Sequence, residues 1–447
     1  MAVGLTSKLK DKLIADALAR KLRKTEQTPA AHALVGASGS GNAANVPEAF
    51  YRFHLHPQYQ QLRIINDGAA RLGIKSPFFK VHEGHAHAHT LIGGQTYINF
   101  ASYNYLGMAD DPEVMAAAKQ AIDTYGTTVS ASRLVSGERP VHRDLERGIA
   151  DLYGTDDAIV FVSGHATNVS TIGHLFGPRD LVVHDEFIHN SVLQGIQLSG
   201  ARRLSFAHND VAALETILSE QRMHFERVLI VLEGIYSMDG DFPDLPAFIE
   251  LKRKYRTFLM VDEAHSLGVM GDTGQGIREH FGLAGKDVDI WMGTLSKTLA
   301  GCGGYIAGET ALIEHLKFLA PGFLYSVGMP PPMAAASLAA LKGLHAHPER
   351  VTALQHRGER FLNAAQAAGI DTGTSRGLAV IPAIAGSSMR AARWSRALFE
   401  KGINVQPILY PAVPEQAARL RFFVSCFHTE EEIDHTVATL AEIIKKI

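Results

Sequence analysis

Residues 258–268, FLMVDEAHSLG, set a run of apolar residues directly against an aspartate, a histidine and a glycine. A run of this length that stops at a carboxylate reads as a strand buried on both faces, with Asp262 at its end. A carboxylate there is costly unless it is paired. Asp262 is therefore either a helix-start aspartate or a group with a cationic partner. The same punctuation recurs along the chain. Apolar runs at 158–162, 180–183, 227–232 and 288–292 are separated by helical patterns such as 112–125 and 141–153. Alternation of this kind indicates βαβ units around a mostly parallel sheet, in which ligands bind beyond the carboxyl ends of the strands. After about residue 345 the pattern changes to a helix, strands at 378–384, 403–408 and 420–426, and a final helix at 430–446, as expected of a smaller α/β domain.

The residues after these runs carry the chemistry. Lys297 lies in GTLSKTLAGCGGY (293–305), just past the run 288–292 and flanked by Thr294, Ser296 and Thr298. Schiff-base chemistry needs such a lysine with a lowered amine pKa; an exposed surface lysine is the plain alternative. His265 is within a turn of Asp262. His189 follows the run 180–183 in HDEFIHNS, and Gly164 and His165 follow 158–162 in SGHATN, where small residues at a helix start let backbone N–H groups approach a phosphate. The G-x-G of GCGGY lacks the strand-then-helix setting of a dinucleotide site.

Composition narrows the class. The 447 residues are 46% hydrophobic and 20% charged with a formal net charge of −3, so nothing argues for a nucleic-acid partner. Two cysteines, Cys302 and Cys426, make no disulfide framework and fit a reducing cytoplasm. No signal-peptide pattern or bilayer-length apolar run is read in the sequence. Residues 1–24 place Leu5, Leu9, Leu13, Ile14, Leu18 and Leu22 at helical spacing, with seven Lys/Arg against Asp11 and Asp16. Such a helix suits an anionic membrane face or an acidic protein, and equally a packed or solvated helix. Residues 35–46 read as a linker. HEGHAHAH (82–89) has histidines but no cysteine and Gly/Ala spacers, so no metal site is assigned there.

Taken in order, NFASYNYLG (99–107), SASRLVSGERPVHRDLE (130–146), SGHATN (163–168), HDEFIHNS (184–191), EGIYSMDGD (233–241), VDEAHSLGVMGDTGQG (261–276), GTLSKTLAGCGGY (293–305) and ARLRFFVSCFH (418–428) resemble the α-oxoamine synthases. These are pyridoxal-phosphate (PLP) enzymes of the aspartate-aminotransferase fold type I. The resemblance runs from about Tyr97 to the C-terminus. It implies a large domain (97–345) with a mostly parallel seven-stranded sheet, a small C-terminal domain (346–447), and an N-terminal extension (1–96).

It also implies roles. Lys297 would carry the cofactor and move protons at the substrate Cα, and His189 would stack on the ring and orient the substrate carboxylate. Asp262 would bind the ring nitrogen, and His265 and Ser237 would lie near the phenolic oxygen. Gly164, His165 and Thr294 would hold the phosphate, with Tyr325 and Ser326 reaching a neighbouring subunit's phosphate in a homodimer. Arg421 would grip the amino-acid carboxylate, and Tyr103 and Asn104 would line the substrate site. His165 stands where the family commonly has Phe or Tyr. The implied reaction joins an amino acid to an acyl thioester, on coenzyme A or a carrier protein, with loss of CO2. SYNYLG resembles serine palmitoyltransferases, and Ala412 in YPAVP stands where biotin-pathway members have a threonine, which speaks against a pimeloyl substrate; the resemblance therefore favours serine and a long-chain acyl group, giving a product such as 3-ketosphinganine. Glycine or alanine, as in 8-amino-7-oxononanoate synthase or 2-amino-3-ketobutyrate ligase, is the alternative, and a non-catalytic scaffold subunit is a further one.

Overall fold

The computed structural model describes residues 46–71 and 76–446. Contacts divide the chain into two units, 1–79 and 80–447. In the first, helix α1 (Pro57–Arg71) follows two short 3-10 turns. The basic segment 1–24 and all but the last residue of the linker lie outside the described residues.

The second unit opens with a hairpin, β1 (His89–Ile92) and β2 (Gln95–Asn99). Its turn, Gly93-Gly94, has φ of 57° and 78° at the two central residues, a conformation that glycine adopts freely. Helices α2 (Pro112–Tyr125) and α3 (Pro140–Tyr153) follow. The chain then builds β3 (Asp157–Phe161), α4 (Gly164–Leu175), β4 (Leu181–Asp185), α5 (Asn190–Ser199), β5 (Arg202–Phe206) and α6 (Val211–Gln221). Next come β6 (Val228–Glu233), α7 (Leu245–Tyr255), β7 (Phe258–Asp262), β8 (Ile290–Thr294) and β9 (Gly304–Gly308). These seven strands form one sheet in the order β3-β9-β8-β7-β6-β4-β5, parallel except for β9.

Side chains alternate across the sheet. Val228, Ile230 and Leu232 face one core, while Leu229 and Val231 face the other together with Ile159, Phe161 and Met260. Every residue of β6 is buried, as its uninterrupted apolar run requires. Two strands, β5 and β9, have no counterpart among the predicted runs. β5 is an edge strand with the exposed pair Arg202-Arg203, a common protection of sheet edges that erases the apolar signal. β9 is glycine-rich because α4 lies close against it: a Cβ on Gly304 would stand 2.7 Å from the Gly164 Cα.

In the C-terminal part, β10 (Val380–Ile384), β13 (Arg419–Phe423) and β12 (Gln406–Ile408) form an antiparallel sheet. The predicted strand 403–408 is divided: β11 (Ile403–Asn404) leaves this sheet and pairs in parallel with β2. Asn404 donates to Asn99 Oδ1 (2.9 Å) and accepts from Lys80 Nζ (3.3 Å), which ties residues 80–99 to the C-terminal region. Among the described residues no helix is long and apolar enough to cross a membrane.

Candidate active site

Three adjacent strands, β6, β7 and β8, end on Glu233, Asp262 and Thr294. Glu233 and Asp262 are register partners, so their side chains lie side by side. Asp262 is 5% exposed and held on both oxygens: Oδ2 accepts from Asn168 Nδ2 (2.9 Å) and Oδ1 from the Ala264 N–H (3.0 Å). Glu233 Oε2 accepts from the Ser237 N–H (3.4 Å), while its buried Oε1 has no hydrogen-bond partner. Burial, then the neighbouring Asp262 charge, pushes the Glu233 carboxyl well above its usual range.

Lys297 follows β8 by three residues, and its Nζ lies 5.7 Å from the centre of the Tyr103 ring. Loss of water lowers its ammonium to about 8, against the opposing pull of Asp262 and Glu233 and with help from Arg421. A fraction of the amine is thus free base near neutral pH. His265 is buried, its Nδ1 2.8 Å from the Tyr105 hydroxyl, and burial holds it well below the ordinary imidazole range, so it is neutral. His189, the N-cap of α5, is likewise lowered by burial first and by the charges of Lys297, His165 and Arg421, with Asp262 opposing.

Arg421, on β13, donates to the Ser237 carbonyl (3.0 Å) and packs 4.6 Å from the Phe423 ring centre. Its Nε is buried without a partner, an unusual state for a guanidinium. At the N-terminus of α4, a Cβ on Gly164 would approach Thr294 Oγ1 to 2.8 Å, so only glycine allows Thr294 to pack this close to the helix start. Thr294 Oγ1 donates to the Gly303 carbonyl (3.0 Å). The first-turn amides of α4 have no carbonyl of their own helix to bond, which suits a phosphate.

The structure thus brings together Lys297, Asp262, His265, His189, Ser237 and Arg421, with Gly164 and Thr294 at one end. Tyr103 borders the group, its ring 4.9 Å from Phe423. His165 is exposed, its Nε2 3.0 Å from Gln194 Oε1 and its ring 6.4 Å from that of His189. Two residues stand apart. Asn104 uses its amide within the protein, donating to the Ala86 carbonyl (2.7 Å) ahead of the β1–β2 hairpin and to Asp110 (3.3 Å), and accepting from the Ala109 N–H (3.1 Å), so it fixes its loop rather than reaching a substrate. Ser326 lines a surface pocket with Ser130, Leu134, Val135 and Tyr325, and makes no hydrogen bond to the Lys297 group. Asn168, Ser191, Tyr105 and Glu233 were not singled out in the sequence, although Asn168, Ser191 and Glu233 end or begin quoted motifs. Asn168 is on α4, four residues beyond Gly164, and this spacing was the available signal.

The fit to PLP rests on these side chains: a lysine with a lowered amine, a buried carboxylate without a cationic partner among the described residues, a glycine at a helix start beside the Thr294 hydroxyl, and a buried guanidinium with an unused donor. A lysine and an aspartate so placed on this sheet define a PLP-dependent enzyme. The class I and II aminotransferase family model matches residues 95–440. The 8-amino-7-oxononanoate synthase of Fervidobacterium nodosum is 40% identical over 359 residues, 80% of this chain and 90% of that protein. That of Geobacter sulfurreducens is 42% identical over 358 residues, 79% and 90% respectively. Among solved structures, a serine palmitoyltransferase from S. paucimobilis with bound PLP matches with a TM-score of 0.83 and 28% identity, covering 87% of this chain and 98% of that one. The 8-amino-7-oxononanoate synthase of Francisella tularensis gives 0.68 and 26%, covering 78% and 98%. The chain belongs to the class I and II aminotransferase family and, within it, to the PLP-dependent α-oxoamine synthases.

Proposed function

We propose that this protein condenses L-alanine with an acyl thioester, releasing CO2 and the thiol and giving an α-aminoketone. The observation that carries the reading is the grouping of Lys297, Asp262 and Arg421, with the Arg421 Nε buried and unpartnered. The choice of alanine is supported by the relatives. The product in their name has an 8-amino and a 7-oxo group, and so is built from alanine's two retained carbons and a seven-carbon acyl chain. A relative at 42% identity outweighs a structural likeness at 28%. Serine with a long-chain acyl group is the second reading, favoured by the higher TM-score of the palmitoyltransferase; the names of the sequence relatives lend no support to sphingolipid synthesis.

Bound PLP supplies an electron sink for charge developing at the amino acid's Cα. Lys297 would hold it, Asp262 would face its ring nitrogen, His265 and Ser237 its phenolic oxygen, and Gly164, His165 and Thr294 its phosphate. Arg421 binds the amino acid's carboxylate through the unused side of its fork. Lys297, with its amine near 8, takes the Cα proton and returns it to the product. Between those events the Cα–acyl bond forms, the C–S bond breaks with a proton going to the departing sulfur, and the carboxylate leaves as CO2. His189 covers one face of the site and keeps it dry. Two copies of the chain would complete each site, Ser326 reaching its partner's phosphate, and residues 1–24 would meet an acidic carrier protein that delivers the acyl group.

Absorbance titration of the PLP-loaded protein with alanine, serine and glycine tests the reading. A saturating shift of the near-visible band with alanine at the lowest concentration, followed by thiol release with a seven-carbon acyl thioester, is expected. Saturation with serine first overturns the alanine assignment in favour of the second reading. Absence of any band after adding PLP overturns the enzymatic reading.

A further inference from the structure

A chain of hydrogen bonds runs from His189 to Asp262, and the Ser191 backbone amide sets its direction. The Ser191 N–H donates to His189 Nδ1 (3.3 Å). A backbone amide cannot accept there, so Nδ1 carries no proton. Ser191 Oγ lies 2.7 Å from the same nitrogen and must donate to it. That leaves Oγ to accept from Asn168 Nδ2 (2.9 Å), whose second proton goes to Asp262 Oδ2 (2.9 Å). The opposite orientation of the Asn168 amide would turn its carbonyl against the Asp262 carboxylate, so Asp262 imposes the same direction from the other end. Asn168 and Ser191 are both 1% exposed, and no solvent competes for these bonds.

We propose that Asn168 and Ser191 are positioning residues that lock His189 in its Nε2–H tautomer, so that His189 offers a fixed donor to an oxygen of the bound amino acid or acyl group. The inference rests on the proposed reaction for the use of that donor, and on geometry alone for the tautomer. Asp262 thereby has two duties: it faces the cofactor's ring nitrogen and, through Asn168, it orients the imidazole on the cofactor's face. The charged and titratable groups acting on His189 include Asp262, Lys297, His165, Arg421 and His265. A donor held against Nδ1 disfavours protonation there, so removing it raises the imidazole's titration midpoint.

The test is selective 15N-histidine labelling of the full chain without added cofactor, read by long-range 1H–15N correlation, with His189 assigned by its loss in His189→Asn. Expected is a protonated Nε2 and a bare Nδ1. In Ser191→Ala and Asn168→Ala the Nδ1 signal moves and the midpoint rises by about half a unit, and Ser191→Thr, which keeps the hydroxyl, restores both. In the PLP-loaded enzyme, Ser191→Ala lowers kcat/KM for the amino acid about tenfold, and Ser191→Thr recovers it. An Nδ1–H tautomer or an imidazolium at pH 7 overturns the proposal, as does a His189 spectrum unmoved by both alanine variants. Because the tautomer is read without cofactor or substrate, failure of the proposed reaction leaves its own separate signature in the absorbance titration.

Discussion

Glu233 shows how much a single buried group contributes to the site's electrostatics. In the unfolded chain its carboxyl ionises near 4.5, whereas in the folded protein burial and Asp262 keep it protonated well above that. The unfolded state therefore releases a proton that the folded state retains, and stability falls as pH rises above 4.5 until the folded group ionises. Glu233→Gln removes that cost. The variant should melt at the same temperature as the parent near pH 4 and at a higher temperature at pH 8, which thermal unfolding at the two pH values measures. Arg421 makes the opposite case, a buried charge whose proposed partner is the substrate carboxylate. Arg421→Ala should raise the KM for the amino acid about 10- to 100-fold, the range of a lost charge-assisted hydrogen bond, and Arg421→Lys should recover part of it. Steady-state kinetics at saturating acyl thioester checks both. At this scale, Lys297, Asp262, His265 and His189 were legible because each lies within about six residues of the end of an apolar run. Asn168 and Ser191 were not, because an asparagine or serine near a helix start reads as a cap until its partners, here His189 and Asp262, are seen.

Between elements, one ion-paired histidine joins two loops of the site. His208 Nδ1 lies 2.9 Å from Asp185, at the end of β4, and its Nε2 2.9 Å from Asp241, eight residues beyond β6. The Phe187 and Tyr236 rings flank it at 4.6 and 4.5 Å. The loop after β4 carries His189 and the loop after β6 carries Ser237, so His208 fastens the two together. The carboxylates raise His208 to about 10 despite the opposing effect of burial. Its stabilising contribution is complete below about 6.5, where the unfolded histidine is also charged, and fades as pH rises toward 10. His208→Asn should cost about 3 kcal/mol at pH 6, because it leaves two buried carboxylates uncompensated, with the deficit shrinking as pH rises from about 6.5 toward 10; denaturant unfolding across this range gives the curve. The elements themselves were largely legible. α2, α3, β6 and β7 fall on the predicted runs within a residue or so, the helices because one face repeats at helical spacing and the strands because burial on both faces writes an unbroken apolar signal. β5 and β9 were hidden for contrary reasons: an edge strand needs charge, and a strand under a close helix needs glycine.

For the whole molecule, the exposed side chains Leu134, Val135, Tyr325 and Val327 border one surface pocket, with Val135 and Tyr325 80% and 87% exposed. A soluble chain rarely leaves such a cluster bare. In the proposed homodimer this face is covered, and Ser326 lies within it. Val135→Asp combined with Tyr325→Asp should convert the dimer to a monomer in analytical ultracentrifugation and weaken PLP binding in the same sample; a dimer that survives both charges would place the interface elsewhere. The sequence resemblance carried the fold type at this scale, whereas the link from β2 to β11 could not be read from it, because two short polar-flanked segments 305 residues apart in register (Ile98 and Ile403) leave no local trace.

That pairing also bears on how the protein is made. Among the described strands β2 is the second a ribosome releases, yet the strand on its far side is among the last. At a synthesis rate of roughly 5–20 residues per second, the edge of β2 stays bare for about 15–60 s. During that interval every nascent chain displays the same open row of N–H and C=O groups, and neighbouring chains on one messenger display it side by side. Any product cut short before Ile403 keeps that edge for life. Premature termination should therefore yield aggregates rather than an inactive soluble fragment.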